Sequence, residues 1–64
     1  MTDNQVLKAV KALTGASDAR VNRKVTADTW SLELAFKDGP TAYTFQTRLV
    51  DVSGDVVRMV GFNF

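Results

Sequence analysis

The chain contains no cysteine and no histidine. The first absence excludes disulfides. Together they leave carboxylates as the only ligands for a zinc ion, which is not a usual structural set. The same two absences remove the commonest carriers of nucleophilic and general-base chemistry. Glycine is scarce as well: Gly15, Gly39, Gly54 and Gly61 stand alone, so no Gly-rich loop is available to cradle a phosphate. Charge of one sign is also missing. Eight Lys and Arg face seven Asp and Glu, a net charge of +1, which selects neither nucleic acid nor an anionic membrane surface. No apolar run approaches the roughly 20 residues of a spanning helix. The start, Met1-Thr2-Asp3-Asn4, lacks the basic-then-apolar pattern of a signal peptide. The expected location is therefore the cytoplasm or a virion.

What is present is one small domain over residues 1–64, with 45% hydrophobic residues. A chain this short buries only about 60% of the surface its unfolded form exposes. Small domains commonly add a disulfide, a metal or a partner subunit, and composition leaves the partner as the available support.

The first segment is helical. Thr2 stands three residues before Gln5, the spacing of a capping box. Asp3 suits the positive end of the helix dipole. Val6, Leu7, Val10 and Leu13 recur at helical spacing, and Gly15 is a C-terminal stop. The expected helix spans about 3–14.

From about residue 19 the period changes to two. Trp30, Leu32, Leu34 and Phe36 alternate with smaller or polar residues, as do Tyr43, Phe45, Thr47 and Leu49, and then Val60, Phe62 and Phe64. Turn signals separate these runs at Ala27-Asp28, Asp38-Gly39 and Ser53-Gly54. The expected strands cover 19–26, 29–37, 41–52 and 55–64, giving an α+β fold of one N-terminal helix on a four-stranded antiparallel meander. If every turn is a two-residue hairpin loop, Leu34 pairs with Tyr43, Leu32 with Phe45, Phe45 with Phe62, and Arg23 with Leu32. Directly opposed residues share a face, so all six aromatics fall on one side.

On that reading the other side is polar and mildly basic. Arg20, Lys24 and Arg48 stand against Glu33, with Lys37 at the margin. Such a face can track phosphates, and these four cations are the candidate contacts for a nucleic acid. A wet strand surface with Asp kept for turns explains the same residues.

The expected aromatic face outsizes its cover. A helix of a dozen residues is about 18 Å long, whereas four strands make a sheet about 19 Å wide and 26 Å long. An apolar corner of Val50, Val52, Val57 and Met59, with Phe62 and Phe64 of the apolar last strand, is the expected protein interface. The functional expectation is a non-enzymatic binding or assembly protein, whether homo-oligomer, inhibitor or accessory subunit, a size that also suits a virus-encoded protein. Nucleic-acid binding is the alternative. No catalytic, metal, cofactor or small-molecule site is expected.

Overall fold

The computed structural model describes residues 1–61. It shows α1 (Asp3–Thr14), β1 (Asp18–Thr26), β2 (Thr29–Lys37), β3 (Tyr43–Ser53) and β4 (Val56–Gly61), with the strands in one antiparallel sheet of order β1-β2-β3-β4. The α+β class, the helix bounds and the meander order agree with the sequence reading.

Local chemistry sets the ends of α1. The Gln5 backbone N–H donates to Thr2 Oγ1 and the Thr2 N–H donates to Gln5 Oε1, completing the capping box. Gly15 takes the left-handed conformation at φ 75°, and its N–H donates to the Lys11 carbonyl at 2.9 Å; a side chain is disfavoured there. Val6 and Val10 are fully buried. Leu13, at the same helical spacing, is exposed.

The core forms where α1 lies on one face of the sheet, here called the inner face. Trp30, Leu32 and Leu34 of β2, Val50 and Val52 of β3, and Ala16 close around Val6 and Val10. Leu7, Ala19, Val21, Phe36 and Val57 pack around them. Trp30 is clamped from two sides. Its Nε1 donates to Asp3 Oδ1 at 2.8 Å, tying the start of α1 to the sheet, and Lys24 Nζ lies 4.7 Å from the ring centroid. Each such cation–π contact contributes about 0.5–1 kcal/mol where solvent reaches it.

Three registers differ from the two-residue-loop expectation, and one difference turns a whole strand over. Between β2 and β3 the connection runs over residues 38–42, closed by the Asp38 N–H donating to the Ala42 carbonyl and by the pair Lys37↔Tyr43. A two-residue loop at Asp38-Gly39 would place Pro40 in the first pair. Proline has no N–H to donate to a ladder, which weakens that pair, and the observed pairing resumes at Tyr43. The loop is longer by an odd number of residues, five in place of two, and an odd shift turns a strand over. Trp30 therefore faces Val50, Leu32 faces Arg48 and Leu34 faces Gln46, while Tyr43 and Phe45 stand on the outer face opposite Lys37 and Ala35. The aromatics do not share one side.

In β1, register shifts between Val21 and Arg23 and between Lys24 and Thr26 leave Asn22 and Val25 as extra residues. These bulges place Arg23 opposite Ser31 on the outer face and Lys24 opposite Trp30 on the inner face, the reverse of the expected sides for both. Between β3 and β4 the loop is Gly54-Asp55, closed by Ser53↔Val56. Gly54 at φ 61° holds the first loop position, where hairpin turns of this length favour glycine. The pairing slides by an even step. Arg58 nevertheless stands on the outer face opposite Asp51, because β3 itself has turned over.

Candidate functional site

The flip of β3 redistributes the residues that the sequence singles out. Val50 and Val52 are core, 0% and 8% exposed, and lie beneath α1, unavailable to a partner. Val57 is half-buried against the same cluster. Met59 is exposed, opposite Val50. Phe62 and Phe64 lie outside the described residues. Of the expected interface corner, the accessible described part is β4, where Val56 and Val60 are exposed alongside Met59.

The basic set is divided. Arg20 stands on the outer face with its Nε 2.9 Å from Glu33 Oε1, and Lys37 is on the same face. Lys24 lies over the Trp30 ring and Arg48 is opposite Leu32, both on the inner face. Arg48 donates to the Thr47 carbonyl at 3.0 Å and to Gln46 Oε1 at 2.6 Å. The four cations thus do not share one face of the sheet. Beyond the helix the inner face of β3 carries Thr44, Gln46 and Arg48. The end of β3 nearest the 38–42 loop is thus polar on its inner face.

Two surfaces remain as candidates. The first is the outer edge of β4. Both β1 and β4 are sheet edges. The six residues of β4, Val-Val-Arg-Met-Val-Gly, carry one charge, Arg58, whose Nη2 lies 3.9 Å from Asp51 Oδ2. One register irregularity, at Val60, interrupts the ladder. A strand edge presents unpaired N–H and C=O groups, and an apolar edge without charge or proline is a template for another strand.

The second is an open groove of about 410 Å³ on the outer face, lined by Ser17, Asp18, Ala35, Tyr43 and Phe45. Asp18, Ala35 and Phe45 form one row across three strands. The Tyr43 and Phe45 rings stack with centroids 6.4 Å apart at 27°, and they are 50% and 62% exposed. Ser17 joins the groove to the sheet: its Oγ accepts from the Lys37 N–H and its own N–H donates to the Ala35 carbonyl. Assigning every aromatic to the core hides this groove from a sequence reading. Pro40 directly after Gly39 argues against the shortest loop, but only the observed five-residue length turns Tyr43 and Phe45 outward.

Among the described residues no three of His, Cys, Asp and Glu converge on a point, and no helix is long and apolar enough to cross a membrane. Comparison with protein-family models, with curated proteins and with solved structures finds no match.

Proposed function

We propose that this protein is a non-enzymatic assembly subunit that works by protein–protein contact, with β4 as the contact edge and a second copy as its partner. The observation that carries the reading is the composition of that edge: Val56, Met59 and Val60 exposed, with Arg58 as its one charge. Strand addition supplies main-chain hydrogen bonds to such an edge, and alternate side chains add apolar contact. Antiparallel pairing of β4 with its own copy is self-complementary, as a two-fold interface requires. It also supplies the support that a chain of this size, without cysteine or histidine, cannot draw from disulfides or a histidine-ligated metal. Arg58 would approach its counterpart near the two-fold axis, and its own Asp51 offsets that repulsion.

Sedimentation velocity over a range of concentrations tests the reading. A concentration-dependent dimer is expected for the native chain. A monomer with unchanged circular dichroism is expected for the double substitution Val56→Lys, Val60→Lys, since edge lysines block strand addition. A native chain that stays monomeric at every concentration overturns the proposal, and so does a dimer that survives both lysines.

A further inference from the structure

We propose that the outer-face groove between Asp18 and Phe45 binds a cationic side chain, lysine or arginine, presented by an extended basic segment of a partner protein. Neighbouring strands lie about 4.8 Å apart, so Asp18 and Phe45 stand about 10 Å from each other across β2. The residue between them is Ala35, whose methyl group leaves the space open. The result is a slot with a carboxylate on one wall, an aromatic ring on the other and a small apolar floor. Tyr43 extends the aromatic wall.

The chemistry of the two walls is complementary to a positive charge. The face of an aromatic ring carries negative potential and attracts a cation within about 6 Å. Asp18 adds a negative charge at the other wall. Its Oδ1 accepts from the Ala19 N–H at 2.9 Å, and it makes no ion pair among the described residues. The nearest cation on its own strand, Arg20, is held by Glu33. Lys37 stands in the next row beside Tyr43, so the incoming charge is favoured at the Asp18 end.

The shape selects a tethered side chain over a free small molecule. Small-ligand pockets enclose about 70–90% of their ligand, and this slot is open along its length. A peptide strand lying over the outer face can lower one long basic side chain into it. Its alkyl stem would cover Ala35 and its head would reach the carboxylate, the division of labour usual for lysine and arginine.

The test uses the full chain and an acetylated, amidated tri-arginine peptide, followed by NMR of the Tyr43 and Phe45 ring signals. Saturable shifts of both rings are expected. A tri-citrulline peptide, neutral and nearly isosteric, should bind at least about tenfold more weakly, and Asp18→Asn should weaken the arginine peptide by a similar factor. Asparagine keeps an oxygen for the Ala19 N–H, so the fold is retained. Phe45→Ala should cost about threefold, and Lys37→Gln should tighten binding about twofold by removing a like charge. Equal binding of citrulline and arginine overturns the proposal, as does an Asp18→Asn variant that binds normally. Tetramethylammonium alone binding as tightly as the peptide would assign the slot to a free organic cation and overturn the peptide partner.

Discussion

Strand β1 carries Asp18, Arg20, Arg23 and Lys24 within nine residues, and two bulges break its ladder. Strand β4, at the opposite edge of the same sheet, carries Arg58 alone in six residues and one irregularity. Both edges expose backbone groups to solvent. The first has two of the devices by which proteins discourage edge pairing, charge and bulging, and the second has little of either. Lys24 shows that the charges of β1 are not merely solvated, since its ammonium caps the buried Trp30 ring. At one edge Lys24 thus seals the core over Trp30, while the other keeps an apolar, sparsely charged strand. A sheet with one open edge closes as a dimer, whereas two open edges would propagate.

The largest effect is expected where Lys24 covers Trp30. Trp30→Ala removes the ring beneath Lys24 and the partner of Asp3. A loss of about 3–5 kcal/mol is expected, against a total stability of about 3–10 kcal/mol for a chain of this size. Chemical denaturation should show a protein at or near global unfolding.

At the open edge the expected effect is on assembly. Val56→Lys with Val60→Lys should raise the dimer dissociation constant at least about tenfold, or about 1.4 kcal/mol, with little change in monomer stability because both residues are exposed. Replacing Arg20 and Arg23 together by Val strips the outer side of β1 of its cations, and light scattering should then detect species larger than a dimer.

Smaller effects separate the charges of β1 by role. Lys24→Ala should lower stability by about 0.5–1 kcal/mol through the lost contact with Trp30, read as a shift in the denaturation midpoint. Glu33→Gln should cost only about a few tenths of a kcal/mol. Its partner Arg20 has a side chain 72% exposed, and ion pairs in water contribute little. A larger loss for Glu33→Gln than for Lys24→Ala would reverse the ranking and place the seal on the outer face.

Much of this architecture is legible in the sequence. Thr2, Gln5 and Gly15 bracket α1 because capping depends on residues a few positions apart. The alternation at Trp30, Leu32 and Leu34 marks β2 as half-buried, and its apolar side is the core side. Strand β3 is different in kind. Tyr43, Phe45 and Leu49 make one of its sides apolar, and Val50 and Val52 make the other apolar at one end. Its own pattern therefore does not choose a face. Val50 and Val52 of the expected interface set lie in the core for that reason, and the expected basic set divided when β3 turned over and β1 bulged. The open β4 edge was legible as an apolar last strand, although its accessible residues include Val56, which the pattern did not single out.

Helix, caps and the number and order of strands were readable from the residues alone, because each depends on interactions within a few residues. Only the tertiary structure decided which side of β3 is inside. Face follows from the parity of the loop before it; Pro40 excludes only the first pair of the shortest loop, and the choice among longer loops falls to a helix whose footprint accepts Val50 and Val52 and leaves Tyr43 and Phe45 in solvent.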